Sequence, residues 1–264
     1  MDYKHLILTR FNLQFDPQSN IHIQPNWLNE RFRLFEAYCL PSIIRQTNQQ
    51  FDWVIFLSDQ TPEIYQQYLK QLTQAYSNIH IELCPYLENF NHFYKNIGEK
   101  YLGNHNFLLS TRIDSDDMLA NNYVEILQSQ ISIATPCPSI ISFPHGIQWF
   151  EHKNIAFAVE YNNNHYLNFW EEKAAIRTSL GADHTLIKPA ELLIVKQPCM
   201  WCEIVHNSNI CNSYVPKYRY SLTYSTENFP IHVEAKKTQQ CRFLVSEHIK
   251  FRYHQWMRLL NKLV

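Results

Sequence analysis

The first half of the chain alternates short apolar runs with amphipathic segments. Each apolar run has the length and character of a buried strand, and between the runs apolar residues recur at helical spacing. The predicted strands are residues 5–10, 51–57, 78–83 and 107–113, and the predicted helices are residues 27–47, a segment opening at Thr61-Pro62-Glu63, and residues 91–101. Pro41 is expected to kink or restart the first helix. This βαβαβαβ order predicts an α/β fold with a mainly parallel sheet and helices on both of its faces.

The pattern is less regular after residue 117. A helix is predicted to begin at Met118, strands are predicted over residues 139–143 and 155–159, and a turn is predicted at Asn162–His165. A last helix is predicted from Ser246, because apolar residues recur there at helical spacing.

Charged side chains follow three of the predicted strands, namely Arg10, Asp59 and Asp114. The carboxyl ends of parallel strands share one edge of a sheet, where ligands of such folds bind. Asp114 and Asp116 are two residues apart, so in an extended chain they point the same way. Two convergent carboxylates suit a divalent cation that also holds a diphosphate. The alternative is that Asp116 and Asp117 cap the helix predicted at Met118.

Arg112 precedes Asp114 by two residues and therefore shares its face of the strand. A fixed cation at this position could offset phosphate charge. A salt bridge to one of the neighbouring acids is the alternative interpretation.

Composition narrows the function further. The chain has 264 residues, 45% of them hydrophobic, and a formal charge of −1, so bulk charge does not favour nucleic acid as a partner. Seven cysteines, an odd number, indicate reduced thiols in a cytoplasm. No run of about 18 apolar residues is present, which predicts a protein that does not cross a membrane. With only four glycines, a Gly-rich phosphate loop of the dinucleotide or Walker type is excluded.

A rival metal signal lies near the end of the chain. Cys199, Cys202, His206 and Cys211 provide four potential zinc ligands within 13 residues. Their spacing differs by one residue from that of a zinc knuckle, and the glycines of such knuckles are missing. Reduced cysteines buried in the core are the simpler interpretation.

Several motifs resemble the putative rhamnosyltransferase family of bacterial glycosyltransferases. They occur in the order expected of that family and span most of residues 3–212. The motifs are Thr9-Arg10-Phe11-Asn12, Trp27-Leu28 with Arg31-Phe32 and Leu34-Phe35-Glu36, Gln46-Thr47, Phe51-Asp52-Trp53, Asp59 with Thr61-Pro62, Thr111 to Asp117, and Trp201 with His206 and Asn209. The resemblance implies one GT-A domain over residues 1–264, with a nucleotide-sugar half over 1–117 and an acceptor half over 118–264 that includes the C-terminal helix.

The resemblance also implies roles at the metal and nucleotide. Asp116 is the first candidate for direct metal coordination, Asp117 is a second candidate, and Asp114 would contact the donor ribose or the metal through water. His206 is the expected third protein ligand, and its imidazole shifts the preference from Mg²⁺ toward Mn²⁺. Thr9, Arg10 and Asp59 would hold the nucleoside; an N-cap role for Asp59 is the alternative.

The predicted function is transfer of a sugar, rhamnose being the first candidate, from a nucleotide-diphosphate donor to a hydroxyl of a bacterial surface glycan, with inversion. Such a transfer needs a carboxylate that accepts the proton of the acceptor hydroxyl. Asp183 is the predicted base, and Glu151, Glu172 and Glu203 are its rivals. A nucleotidyltransferase on a similar sheet and a non-catalytic zinc-binding module are the alternative functions.

The location predicted for this enzyme is the cytoplasm, with peripheral contact at the inner membrane face. The last helix combines aromatic residues with Lys250, Arg252, Arg258 and Lys262, a mixture that suits an anionic lipid surface. The favoured interpretation of this helix is that its apolar face packs on its own domain.

Overall fold

The computed structural model describes residues 2–132, 135–206, 219–233 and 235–260. Twelve strands in these ranges form two sheets. The strands are β1 (Tyr3–Arg10), β2 (Asp52–Ser58), β3 (Ile79–Cys84), β4 (Phe107–Arg112), β5 (Met118–Leu119), β6 (Ser139–Ser142), β7 (His145–Phe150), β8 (Ile155–Glu160), β9 (Asn168–Glu172), β10 (Leu192–Ile194), β11 (Trp201–Val205) and β12 (Arg219–Ser221).

Six α-helices accompany these strands in the described ranges. They are α1 (Pro25–Leu34), α2 (Leu40–Ile44), α3 (Glu63–Thr73), α4 (Asn91–Leu102), α5 (Tyr123–Ser129) and α6 (Lys237–Leu260). A π-helical turn over Phe35–Cys39 joins α1 to α2, and in it the Leu40 N–H donates to the Phe35 carbonyl. Pro41 follows directly. A proline lacks an N–H and crowds the carbonyl four residues earlier, so the wider turn lets the helix continue past it.

The central sheet has the order β10-β6-β9-β4-β1-β2-β3. Strands β4, β1, β2 and β3 are parallel neighbours, whereas β9 runs antiparallel to both β4 and β6. Successive residues of β1 and β2 alternate between two buried clusters. One cluster packs against α1, α2, α3 and α5, and the other packs against α4. The predicted mainly parallel sheet with helices on both faces is therefore confirmed.

A second sheet, ordered β12-β8-β7-β11-β5, lies beside the carboxyl end of β4 in the first sheet. The short strand β5 follows the acidic segment directly and pairs with β11, where Leu119 faces Trp201. Gly146 on β7 also faces Trp201, in parallel register. The indole lies so close that a Cβ at Gly146 would come within 2.1 Å of it. This pairing brings β11 to the acids that follow β4.

Two predicted helix boundaries were wrong. Residues 118–119 form a strand, and α5 begins only at Tyr123, because the backbone after the acids pairs with β11. Asp116 and Asp117 therefore do not cap a helix. The last helix begins at Lys237, nine residues before the predicted start, with its first turns anchored by buried Gln240 and Phe243.

Candidate active site

The functional edge lies at the carboxyl ends of β1, β2 and β4. Arg10 ends β1, Asp59 follows β2, and Asp114 follows β4 by two residues. The parallel register, with Leu8 opposite Arg112, brings the ends of β1 and β4 together. The expected edge of Arg10, Asp59 and Asp114 thus lies on one side of the sheet.

Asp114 lies between two arginines. Its Oδ1 is 3.3 Å from an Arg10 guanidinium nitrogen, and its Oδ2 is 3.0 Å from Nη2 of Arg112. Burial acts to raise the pKa of Asp114, but the charges of Arg112 and Arg10 prevail and hold it well below its usual range. Arg112 therefore forms a salt bridge with Asp114, which was the alternative interpretation of this arginine. Arg10 and Arg112 together place two guanidinium groups at this edge of the sheet.

Asp116 is buried and contacts a different arginine together with a histidine. Its Oδ2 lies 2.8 Å from Nη1 of Arg31 and 2.9 Å from Nε2 of His206. Burial acts to raise the pKa of Asp116, whereas Arg31 and His206 lower it, and the net shift is downward. Arg31 also lies over the Trp27 ring at 4.8 Å and donates to the Ser115 hydroxyl at 3.3 Å. The arginine comes from α1, so its part in the site follows from tertiary packing.

Asp117 is fully buried and links the acidic segment to the second sheet. Its Oδ1 accepts the Ile204 N–H at 2.8 Å, and its Oδ2 accepts the Tyr166 hydroxyl at 2.8 Å and lies 3.3 Å from Nε2 of His165. Burial, followed by the charges of Asp116 and Asp114, raises the pKa of Asp117 well above its usual range. These contacts fix the backbone that carries Asp116.

Two groups of metal-ligating side chains result. Ligand atoms of Asp114, Asp117 and His165 lie within 4.8 Å of one another, the one such group of three found among the described residues. Asp116 and His206 form the other, a contacting pair. His165 was not singled out from the sequence, where it appeared only as the end of a predicted turn. It lies 48 residues from Asp117, and no local motif marks it.

The three residues predicted at the nucleoside are not equivalent. Thr9 is buried, and its hydroxyl accepts the Trp53 indole N–H at 2.9 Å, so it supports the sheet from within. Arg10 lies at the edge, with its guanidinium 5.4 Å from the centre of the Phe15 ring. Asp59 is exposed beside the end of β3. The N-cap of α3 is Pro62, and no side chain caps the helix by a hydrogen bond. Asp59 therefore does not cap that helix.

The predicted base, Asp183, is exposed and belongs to a local turn. Its Oδ1 accepts the Thr185 N–H at 2.9 Å and the Thr185 hydroxyl at 2.8 Å. Among its rivals, Glu151 is bound by Arg33 and by the Tyr38 hydroxyl. Glu172 pairs with Phe107 at the start of β4, about 17 Å from the functional edge at strand spacing.

Glu203 is the rival that lies near the acids. It is buried on β11, one residue before Ile204, which donates to Asp117, and its Oε2 accepts an N–H of Gln148 at 2.8 Å. Burial raises the pKa of Glu203 to about 7, the nearby charge of His165 acts in the opposite direction, and the charge of Asp117 adds to the rise.

The described candidates for a zinc site do not share one point, because each contacts a different part of the protein. Cys202 is buried in the core beside Met118, Cys199 contacts the Gly146 carbonyl at 3.6 Å, and His206 contacts Asp116. Cys211, like Asn209 of the late motif, lies outside the described residues. The described cysteines are free thiols.

Comparison with known families identifies the class of this protein. The family described as "Putative rhamnosyl transferase" matches residues 10–213, more than half of the 264-residue chain. The chain belongs to this family, a glycosyltransferase family, as the resemblance predicted. Family membership and sheet order agree with the predicted GT-A class. No curated protein matches the chain.

Several solved structures are similar at low identity. S. aureus TarS 1-349 in complex with UDP has a TM-score of 0.42 and 11% identity over 76% of this chain and 60% of its own. Full S. aureus TarS has a TM-score of 0.41 and 10% identity over 76% of this chain and 37% of its own. Mannosyltransferase PcManGT from Pyrobaculum calidifontis, in complex with GDP-Man and Mn²⁺, has a TM-score of 0.32 and 12% identity over 54% of this chain and 36% of its own. This chain thus spans 37% to 60% of the TarS chains. Likeness at this level does not identify a substrate.

Proposed function

We propose that this protein is a metal-dependent glycosyltransferase that moves a sugar, with rhamnose as the first candidate, from a nucleotide-diphosphate donor to a hydroxyl of a bacterial surface glycan with inversion. The observation that carries the proposal is the meeting of Arg10, Arg31 and Arg112 with Asp114 and Asp116 at the carboxyl edge of a parallel sheet. Family membership supports sugar transfer as the reaction.

The charges of this edge suit a diphosphate together with a cation. Half-buried Asp114 and buried Asp116 each contact at least one arginine. If a divalent cation joins the acids, the guanidinium groups carry uncompensated positive charge. A nucleotide diphosphate supplies the matching negative charge, and guanidinium groups bind phosphate oxygens with two parallel hydrogen bonds. The same groups would stabilise the diphosphate as it departs.

The donor set fits a divalent ion such as Mn²⁺ or Mg²⁺. Carboxylate oxygens suit both ions, and an imidazole favours Mn²⁺. Asp116 and His206, which contact each other, would hold it, and Asp114 would contact it through water. Asp117 already has three protein partners, because it accepts the Ile204 N–H and the Tyr166 hydroxyl and contacts His165. A bound cation would act as a Lewis acid toward the diphosphate. Asp117 and His165 would keep the acidic segment in place.

The acceptor side depends on a carboxylate base. Asp183 stays the proposed base, with Glu203 as the second candidate because of its place beside the acids and a pKa raised first by burial, to about 7. The pH dependence of the rate separates them. Asp183→Asn and Glu203→Gln are compared with wild type, and the base is the residue whose loss removes the acid limb of the profile.

A binding screen tests the proposed function. Nucleoside diphosphates with each base are added to the full chain with Mn²⁺, with Mg²⁺ or with EDTA, and the melting temperature is recorded. A ligand that binds the native state raises stability by about 2.7 kcal/mol at a hundredfold excess over its Kd. We expect one diphosphate to raise the melting temperature only with metal. A response to nucleoside triphosphates with release of pyrophosphate would instead identify a nucleotidyltransferase.

A further inference from the structure

Beyond its first turns, α6 exposes several large apolar side chains. Its first turns are anchored where Gln240 donates to the Ala156 carbonyl at 2.6 Å and the Phe243 ring packs 4.5 Å from that of Phe150. The helix has 24 residues and so is about 36 Å long. Val245 is 61% exposed, Ile249 is 62% exposed and Trp256 is 58% exposed. The expectation that its apolar face packs on its own domain thus holds only for the first turns.

Most of the large exposed apolar residues of α6 lie on one side of the helix, whereas Phe251, which is 36% exposed, lies on another. At 100° per residue, Val245, Ile249 and Trp256 fall within about 40° of one another. We call these three residues the apolar stripe. Tyr253, also exposed, lies at its margin. Large apolar residues that are contiguous and exposed mark an interaction surface rather than ordinary surface composition.

The charges around the apolar stripe favour an anionic lipid surface over a second copy of the chain as its partner. Residues 237–260 contain five Lys or Arg residues and one Glu, whereas the whole chain has a formal charge of −1. At 100° per residue, Arg252 and Arg242 flank the apolar stripe, each about 20° beyond one of its edges. A second copy packed stripe to stripe would bring guanidinium groups into the interface core, where charged residues are unfavourable. On an anionic lipid surface the same arginines reach the phosphates while their stems cover apolar chains.

We propose that the apolar stripe of α6 docks this protein on an anionic membrane surface, with the helix lying in the plane of the interface. Tryptophan and tyrosine favour the level of the lipid headgroups. No helix in the described ranges is long and apolar enough to cross a membrane, and the proposed binding is peripheral. The proposal is independent of the proposed reaction, since it rests on α6 and not on the acids.

Co-sedimentation of the full chain with vesicles tests the proposal. Neutral phosphatidylcholine vesicles are compared with vesicles that also contain phosphatidylglycerol. We expect the protein to pellet with the anionic vesicles and to be released as salt rises, since screening shortens the reach of surface charge to about 8 Å at physiological ionic strength. Ile249→Glu and Trp256→Glu should each weaken binding about tenfold or more, because each places a charge where apolar area was buried. Ile64→Glu is the matched control, because Ile64 on α3 is 72% exposed and distant in sequence from α6.

Three results would overturn the proposal. The protein could remain in the supernatant with every vesicle. Binding could occur but be equally weakened by Ile64→Glu, which would show that the stripe is not the contact. Sedimentation equilibrium could show a dimer that Ile249→Glu dissociates, which would assign the stripe to a second copy.

Discussion

At the scale of single residues, Arg31 is the contact that sequence reasoning did not assign. It is held against Asp116 and over Trp27, yet it is supplied by a helix far from the acids in the chain. If it binds the donor diphosphate, Arg31→Met should weaken binding of the nucleoside diphosphate about tenfold or more, since a charged hydrogen bond contributes about 1.5–3 kcal/mol. Binding of the nucleoside alone should change little.

Isothermal titration of wild type and variants with both ligands measures this difference. Arg33→Met is the matched control, because Arg33 on the same helix pairs with Glu30 and Glu151. Equal losses for nucleoside and diphosphate would mean that Arg31 only positions the loop.

The two histidines give a second prediction at this scale. His206 contacts Asp116, whereas His165 contacts Asp117. His206→Ala should raise the Mn²⁺ concentration needed for half-maximal activity by about tenfold or more, the usual effect of losing a ligand or its close support. His165→Ala should raise it less. The reverse order, read from metal titrations of both variants, would place the cation in the group of Asp114, Asp117 and His165.

At the scale of elements, the pairing of β7 with β11 depends on one glycine. Gly146 has no space for a Cβ, which would lie 2.1 Å from the Trp201 ring. Gly146→Ala should therefore reduce the free energy of unfolding by about 1–3 kcal/mol or more, the cost of overpacking. Urea denaturation followed by circular dichroism measures the loss.

A double-mutant cycle tests whether the indole is the cause. Trp201→Leu removes the ring that a Cβ would meet, so Gly146→Ala should cost less in that background. An equal cost in both backgrounds would assign the effect to backbone strain instead.

The same scale shows what sequence could and could not predict. Strands β1, β2 and β4 were predicted because a strand buried on both faces has a nearly continuous apolar sequence. Strand β9 was missed because it begins with Asn168 and ends with two glutamates, and because Asn168 is buried by hydrogen bonds to Tyr123 and Ile141 rather than by apolar contact. Its place between β4 and β6 is set by antiparallel pairing that leaves no periodic signal.

The site divides in the same way. Arg10, Asp59 and Asp114 were placed correctly because strand ends fix their position along the sheet. Their neighbours Arg31 and His165 reach the acids across 85 and 48 residues of chain, and only the tertiary fold brings them there. The acids themselves were expected just beyond a strand end, and Asp117 proved to be buried because β11 covers it.

At the scale of the whole molecule, two buried titratable groups change the free energy of unfolding in opposite directions as pH rises. Burial raises the pKa of Glu203 to about 7 in the second sheet, and burial lowers the pKa of His5 to about 3 in the first. Between about pH 4.5 and 7 the folded protein keeps a proton on Glu203 that the unfolded chain has lost, so this group lowers stability as pH rises. Between about pH 3 and 6.5 the unfolded chain protonates His5 and the folded protein does not, so this group raises stability as pH rises.

The contribution of Glu203 can be isolated by substitution. Glu203→Gln keeps the shape and removes the titration, so relative to wild type the variant should gain stability on going from pH 5 to pH 8. The shift of the Glu203 pKa corresponds to a gain on the order of 3 kcal/mol. Urea unfolding at both pH values, in EDTA so that metal binding does not contribute, gives the two differences. Glu172→Gln is the matched control, because Glu172 is an exposed glutamate at the end of β9 in the other sheet. If Glu203→Gln gives equal differences at pH 5 and pH 8, Glu203 is ionised at both, and its candidacy as a base with a pKa near neutrality fails with it.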